Sequence, residues 1–187
     1  MKKSIKDIKK FINLDTNRAY CLDTNILYWY FYPRANFNNT KEKEEIYYNF
    51  VDTLISDGNP ICITSMNLTE LINIIEKNEY DLYCKTHPNV SKKEFRNIES
   101  ERKRVKNIIK ASVSSVYSNC KIYNVNITVD KVKEFVEKFN GNTTDIFDYI
   151  SVEELKKMGN SYFVSDDQDL ASIDGITLFT ANKKVLL

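Results

Sequence analysis

Four acidic residues in this sequence are candidate metal ligands because of the predicted strands and helices beside them. Asp23 follows the apolar triplet Tyr-Cys-Leu, and Asp167 lies just beyond the triplet Tyr-Phe-Val. Glu70 and Asp145 lie near the starts of two predicted helices. Carboxylate oxygens, without histidine or thiolate, suit Mg²⁺ or Mn²⁺, ions that commonly bridge to phosphate oxygens. If the fold brings these acids together, they predict a divalent-metal site for phosphate-ester chemistry.

Each acid taken singly also has a structural interpretation. Asp23 would cap the helix that follows it, Glu70 would close an Asn-Leu-Thr-Glu capping box, and Asp145 would stabilise a helix dipole. The acidic run at residues 166–169 would be an exposed loop. Convergence changes this balance, because two carboxylates about 4 Å apart repel by about 4 kcal/mol at an intermediate dielectric. Four carboxylates at one edge would require a bound cation or raised pKa values.

The elements that must position these acids alternate along the chain between short strands and amphipathic helices. This alternation predicts an α/β fold with a largely parallel central sheet of about five strands. Ligands of such sheets bind at the carboxyl ends of strands, which is where Asp23 and Asp167 fall. Strands are predicted at residues 20–22, 61–63, 122–125, 162–164 and 176–179. Helices are predicted at residues 39–58, 65–77, 129–139 and 144–159, the last capped by Thr143 or Thr144.

The length of 187 residues predicts one domain that spans residues 1–187. Apolar residues recur at helical spacing near the N-terminus and predict a leader helix within residues 1–17. Residues 79–119 predict a helical insertion, in which the capping box Ser-Lys-Lys-Glu begins a helix at Ser91. The apolar residues of the leader are Ile5, Ile8, Phe11 and Ile12.

Charge and cysteine content exclude several classes of protein. The 27 basic and 26 acidic side chains leave no strong overall field toward nucleic acid or an anionic membrane. No apolar run has the length of a membrane span, so we expect a cytoplasmic protein with no membrane contact. The cysteines are widely spaced and, with the single histidine, His87, make a poor zinc signature, which predicts reduced and mostly buried thiols. They are Cys21, Cys62, Cys84 and Cys120.

Four short motifs, taken in order and in their strand contexts, resemble those of PIN-domain nucleases, the VapC-like ribonucleases. The resemblance covers residues 19–180, and each motif alone is weak. The motifs are Leu22-Asp23-Thr24-Asn25 after the first strand, Thr69-Glu70-Leu71 in the helix after the second, Thr144-Asp145 at a late helix, and Val-Ser-Asp-Asp-Gln-Asp-Leu from Val164.

The resemblance implies a Rossmann-like, three-layer α/β/α PIN-type fold and a metal-dependent endoribonuclease. It also implies that a water activated by Mg²⁺ or Mn²⁺ attacks phosphorus. The catalytic acids implied by position are Asp23, Glu70, Asp145 and Asp167. Of these, Asp23, Asp145 and Asp167 would bind the metal, and Glu70 would hold it through water. The residues that would support the carboxylates are Thr24, Asn25, Ser165 and Asp169.

Two segments are candidates for contact with RNA or with a partner. The basic run between residues 92 and 110 is most often a solvated helix face, but beside an acidic metal site it would track an RNA backbone. The aromatic run at residues 28–32 would stack bases, form core, or join two copies in a homodimer. We expect Phe31 and Tyr32 to be its exposed pair. The basic candidates for RNA contact are Arg96, Arg102, Lys103 and Lys106.

Three functions remain open at this stage. The first is a ribonuclease that hydrolyses phosphodiester bonds of single-stranded or structured RNA, with a toxin role beside an antitoxin protein as one version; the extra helices argue against that version. The second is a catalytically weak or inactive PIN-like module that binds RNA or a protein partner. The third is a small-molecule phosphohydrolase, which the lack of a DxDxT motif and of a glycine-rich phosphate loop disfavours.

Overall fold

A six-stranded parallel sheet forms the centre of the computed structural model, which describes residues 4–10, 13–35, 42–138 and 144–186. The strands are β1 (Ser4–Asp7), β2 (Tyr20–Leu22), β3 (Ile61–Thr64), β4 (Lys121–Tyr123), β5 (Tyr162–Val164) and β6 (Thr177–Thr180). Their order is β1-β6-β5-β2-β3-β4, and every neighbouring pair is parallel. The predicted α/β fold with a parallel sheet is therefore confirmed.

Helices connect the strands and cover both faces of the sheet. They are α1 (Thr24–Phe31), α2 (Glu42–Ser56), α3 (Ser65–Cys84), α4 (Lys92–Asn97), α5 (Glu99–Asn119), α6 (Val129–Lys138), α7 (Ile146–Lys157) and α8 (Lys183–Leu186), with a 3₁₀ turn at Asp169–Ser172. In the described ranges, no helix is both long enough and apolar enough to cross a membrane.

Side chains alternate between the two faces of the sheet along each strand, and this divides the core into two layers. Tyr20 and Leu22 of β2 pack against α1, α2 and α3, whereas Cys21 between them packs against α7 on the other face. Successive side chains of a strand point to opposite faces, so a strand buried on both sides reads as a continuous apolar triplet. The cysteine thiols are free, and those of Cys62 and Cys120 are buried with Cys21. The result is the three-layer α/β/α arrangement.

The predicted leader helix is wrong at Ser4–Asp7, which forms the edge strand β1. Ile5 lies opposite Leu178 in β6, and the Ser4 amide donates to the Ile176 carbonyl at 3.1 Å. Over so few residues the apolar spacing fits either a helix or a strand, and pairing with β6 decides between them. The sheet therefore has six strands, one more than predicted. Phe11, Ile12 and the predicted helix start at Asn39 lie outside the described residues.

The segment predicted as a helical insertion begins inside α3, which continues past its predicted end at Lys77 to Cys84. The predicted capping box at Ser91 is present: Ser91 Oγ accepts from the Glu94 amide at 3.2 Å. The prediction that Phe31 and Tyr32 are exposed is wrong. Their exposed fractions are 4% and 1%, so the end of α1 belongs to the core.

A buried carboxylate joins α1, α3 and α5 where they meet. Glu79, which is fully buried, accepts hydrogen bonds from the Tyr32 hydroxyl at 2.5 Å and from Arg34 at 2.9 Å, and it also pairs with Arg104. A buried charge is tolerated only when it is paired and hydrogen-bonded in this way. Glu79 is therefore the polar contact that fastens the long α3–α5 segment to the rest of the fold.

Glu79→Gln should lower the free energy of unfolding by about 3 kcal/mol, because it leaves Arg34 and Arg104 without their shared counter-charge. Urea unfolding followed by circular dichroism measures the change. Glu76→Gln is the matched control, since Glu76 forms its ion pairs with Lys92 and Arg96 near the surface and should cost less than about 1 kcal/mol. Equal costs for the two variants would contradict the fastening role of Glu79.

Candidate active site

Two acids meet at the carboxyl ends of the neighbouring strands β2 and β5. Asp23 follows β2 directly and its amide donates to the Val164 carbonyl at 3.1 Å. Ser165, the residue after β5, donates from its hydroxyl to Asp23 Oδ2 at 2.6 Å and accepts from the Asp167 amide at 2.9 Å. Ser165 thus links Asp23 to the loop that carries Asp167. Its role as a support for the carboxylates stays a prediction.

A second hydroxyl links Asp23 to Glu70. The Thr24 amide donates to Asp23 Oδ1 at 2.6 Å, and the Thr24 hydroxyl donates to Glu70 Oε2 at 2.7 Å. Asn67 Nδ2 in turn donates to Thr24 Oγ1 at 3.1 Å. Because each side chain orients the next, Asp23 and Glu70 have defined positions at the edge of the sheet.

The capping box of α3 differs from the expected one, and this frees Glu70. Thr64 and Asn67 form the box: the Asn67 amide donates to Thr64 Oγ1 at 3.1 Å, and the Thr64 amide donates to Asn67 Oδ1 at 3.1 Å. Glu70 lies three residues beyond Asn67, so it takes no part in the cap. Its carboxylate is available to the acidic cluster.

Asp145 has a structural task at the start of α7. It is the N-cap of that helix, and its Oδ1 accepts from the amides of Phe147 and Asp148 at 2.8 and 3.0 Å. The expected cap at Thr144 is therefore wrong, while Thr143 lies outside the described residues. Asp145 still lines a cleft with Glu70, but one of its oxygens is already occupied by the helix.

Asp148 is the acid that sequence reasoning missed. It lines a common cavity of about 20 Å³ with Asp23 and Asn67, and it also lines the cleft that contains Glu70 and Asp145. The signal was available in the spacing, because Asp148 shares a helix face with the buried residues Ser151, Val152 and Leu155. An acid in a buried helical stripe requires a compensating partner.

The carboxylates influence one another through their charges. The pKa of Asp148 is raised to about 8, first by burial and then by the negative charges of Asp23, Asp145, Glu70 and Asp167. The pKa of Asp23 is raised to about 6, mainly by burial, with further contributions from the charges of Asp167 and Glu70; hydrogen bonds from Ser165 and Thr24 oppose this rise. The cluster therefore favours a bound proton or cation.

The donor types suit a hard divalent ion, since all five side chains of the acidic cluster are carboxylates. They are Asp23, Glu70, Asp145, Asp148 and Asp167. In the part of the chain that the structure describes, no three histidine, cysteine or acidic side chains are grouped closely enough to hold a metal ion. The donor types match Mg²⁺ or Mn²⁺, but their placement within these described residues does not form a coordination site. Binding would require the carboxylates to turn toward a common point.

Asp166 and Asp167 are separated by their contacts although they are neighbours in sequence. Asp166 pairs with Lys43 at 2.6 Å and lies 3.1 Å from the Tyr47 hydroxyl. The charge of Asp167 instead helps to raise the pKa values of Asp23 and Asp148. Asp167 thus interacts with the acidic cluster, whereas Asp166 is paired with a lysine.

The remaining candidates take several positions. The Asp169 amide donates to Asp167 Oδ1 at 2.8 Å, while Asn25 is exposed and lines a cleft beside Asp167. His87 is exposed and stacks on Tyr83. Among the basic candidates, Arg96 pairs with Glu76. The others are exposed on α5 and are Arg102, Lys103 and Lys106.

Comparison with known proteins bears on the fold. No protein family and no curated protein matches the sequence. The structure is similar to a chain of VapBC2 from Rickettsia felis, which was solved bound to a DNA fragment from its promoter. The two chains are 17% identical with a TM-score of 0.51, and the match covers 87% of this chain and 98% of that one. The chain has a PIN-type, VapC-like fold. PAE2754 from Pyrobaculum aerophilum is also similar, with 15% identity, a TM-score of 0.47, and coverage of 90% and 88%.

The pKa of Asp148 makes the stability of this PIN-type fold depend on pH. Its folded value, about 8, lies above the ordinary value of about 3.9 in an unfolded chain. The folded state therefore binds the proton more tightly, and the stabilisation present at acid pH is lost as pH rises from about 4 to about 8. In EDTA, wild type should lose at least about 1.4 kcal/mol more than Asp148→Asn between pH 5 and pH 8, as measured by urea unfolding.

Asp145→Asn is the control for this measurement, because asparagine keeps the helix cap and Asp148 retains its carboxyl group. It should keep most of the wild-type pH dependence. A wild-type pH dependence in Asp148→Asn would contradict the assignment of the shifted pKa to this residue.

Proposed function

We propose that this chain is a cytoplasmic endoribonuclease that depends on Mg²⁺ or Mn²⁺ and hydrolyses phosphodiester bonds in RNA. One observation carries the proposal: several carboxylates, remote in sequence, converge at the carboxyl edge of a PIN-type sheet, where their charges help to raise the pKa of Asp148 to about 8. A structural role does not require such an arrangement. A divalent ion would neutralise it and would bring phosphate with it.

Asp23, Asp148 and Asp167 are the proposed ligands, and Glu70 would hold the ion through water. Asp148 replaces Asp145 in this set because Asp148 lines the cavity that contains Asp23, whereas Asp145 is the N-cap of α7. When bound, the ion supplies the charge that activates a water and stabilises the phosphate and the leaving oxygen.

The hydroxyl groups of the site keep the acids in place. Ser165 holds one oxygen of Asp23, and Thr24 holds Glu70 while its own amide holds the other oxygen of Asp23. These contacts hold both oxygens of the Asp23 carboxylate. We infer that Ser165 and Thr24 are positioning residues, whose loss typically costs about 10- to 100-fold in metal affinity or activity.

The proposal is tested by cleavage of a labelled single-stranded RNA with Mn²⁺, with Mg²⁺ and with EDTA. Wild type should cleave only with a divalent ion. Asp23→Asn, Asp148→Asn and Asp167→Asn should each lose at least about 100-fold, because each removes charge stabilisation of several kcal/mol. Asp145→Asn should lose much less, since asparagine caps α7 equally well.

Other results would decide between the alternatives. RNA binding without cleavage by wild type would favour the inactive PIN-like module. Hydrolysis of small phosphate esters alone would favour the phosphohydrolase. A larger loss in Asp145→Asn than in Asp148→Asn would return the ligand role to Asp145.

A toxin role with an antitoxin partner is a second proposal, supported by the likeness to a chain of VapBC2. Induced expression of wild type in a bacterial host should arrest growth, and Asp23→Asn, expressed to the same level, should not. Co-expression of a small DNA-binding protein encoded beside this gene should restore growth. Normal growth with active wild-type enzyme would reject the toxin role and leave the nuclease proposal intact.

A further inference from the structure

A cleft of about 670 Å³ opens beside the acidic cluster and shares Asp167 with it. Asn25, two residues after Asp23, also lines it. Its basic side chains come from three separate parts of the chain: the segment after β1, helix α2, and helix α8. They are Lys9, Lys43, Lys183 and Lys184. We call this the lysine cleft.

The pairing of β1 with β6 creates the lysine cleft. The Ile8 amide donates to the Thr180 carbonyl at 3.1 Å, which places Lys9 beside the segment that leads into α8. Lys9, Lys183 and Lys184 are exposed, and none of them forms an ion pair with another described residue. Lys43 differs, because it pairs with Asp166 and lies 5.3 Å from the centre of the Trp29 ring. Three lysines are thus available to an anionic ligand.

Hydrogen bonds fasten the lysine cleft to the acidic cluster. The Tyr47 hydroxyl accepts from the Ala181 amide at 2.8 Å and lies 3.1 Å from both the Ser165 carbonyl and Asp166 Oδ1. Asn182 Nδ2 donates to the Asp166 carbonyl at 2.6 Å. A ligand bound to the lysines would therefore lie at a set distance from Asp167 and from Ser165, which holds Asp23.

We propose that the lysine cleft binds the phosphate backbone of the RNA strand on one side of the bond to be cleaved. This inference rests on the proposed nuclease function. Lysine binds phosphate as a point charge and carries no sequence information, which suits a subsite that positions the strand. Continuity with Asp167 favours a nucleic-acid strand over an acidic protein, because a strand held at the lysines extends to the acids with its next phosphates.

The basic run at residues 92–110 is the competing surface. Part of it is engaged in the fold, since Arg96 pairs with Glu76, and Arg104 pairs with Glu79 and Glu101. Arg102, Lys103 and Lys106 are exposed but lie on α5, outside the lining of the lysine cleft. They provide a comparison set with the same number of charges.

The test measures binding separately from cleavage. Fluorescence anisotropy of a labelled single-stranded RNA is recorded in EDTA between about 50 and 200 mM salt. The slope of log K against log salt falls by about 0.7 for each phosphate of a single strand that the protein no longer neutralises. The triple variant Lys9→Gln, Lys183→Gln and Lys184→Gln should therefore lose up to about 2 from the slope and bind at least tenfold more weakly at the lowest salt.

Two further triple variants control for the loss of three charges. Lys77→Gln, Lys85→Gln and Lys133→Gln remove exposed lysines outside both the cleft and the basic run, and should keep the wild-type slope. Arg102→Gln, Lys103→Gln and Lys106→Gln test the competing surface. A cleft variant with the wild-type slope, or a loss confined to the α5 variant, would overturn the proposal. Equal unfolding midpoints establish that every variant is folded.

The outcomes separate this inference from the nuclease proposal. Binding that depends on the cleft lysines, in a wild type that cleaves no RNA with Mn²⁺, supports the lysine cleft and rejects the nuclease. Cleavage of RNA by a wild type whose RNA binding does not depend on these lysines supports the nuclease and rejects the lysine cleft. Binding of polyglutamate that requires the same lysines, without binding of RNA, would assign the cleft to an acidic protein and overturn the proposal.

Discussion

Mutual repulsion among carboxylates at one edge of the sheet is the constraint on which the site depends. The order of strands produces it, because β2 and β5 are neighbours in the sheet although Asp23 and Ser165 are 142 residues apart in sequence. Helices α3 and α7 then add Glu70 and Asp148 to the same edge. A parallel sheet directs all of its carboxyl ends to one side, so the topology itself concentrates the negative charge.

The hydrogen bonds that compensate the negative charge are distributed unevenly among the acids, and this difference distinguishes their roles. Asp23 accepts hydrogen bonds at both oxygens, Glu70 accepts one from Thr24, and Asp145 is satisfied by the backbone of α7. Asp148 combines burial with the repulsion of its neighbours, and its pKa is raised the most. Its ionisation is therefore the step that a divalent ion would favour most, which couples ion binding to proton release.

The sequence predicted those parts of the fold and site that local patterns determine. Apolar triplets located the buried strands, and the acids directly after them fell at the expected edge. The prediction failed where tertiary contacts decide: Ser4–Asp7 forms a strand because β6 offers an edge. The sequence analysis named Asp145, because a motif marks the start of a helix. It did not consider Asp148, because the helix face that Asp148 occupies depends on where α7 packs.

The missed strand and the lysine cleft have one cause. Lys9 reaches the neighbourhood of Lys183 and Lys184 only because the first strand of the sheet pairs with the last. In the sequence Lys9 lies near one end of the chain and Lys183 and Lys184 near the other, while the conspicuous basic run is partly engaged with Glu76 and Glu79. Lysines that line one cleft therefore need not be neighbours in sequence. In this fold, the pairing of β1 with β6 at the edge of the sheet also brings these lysines together beside the acidic cluster.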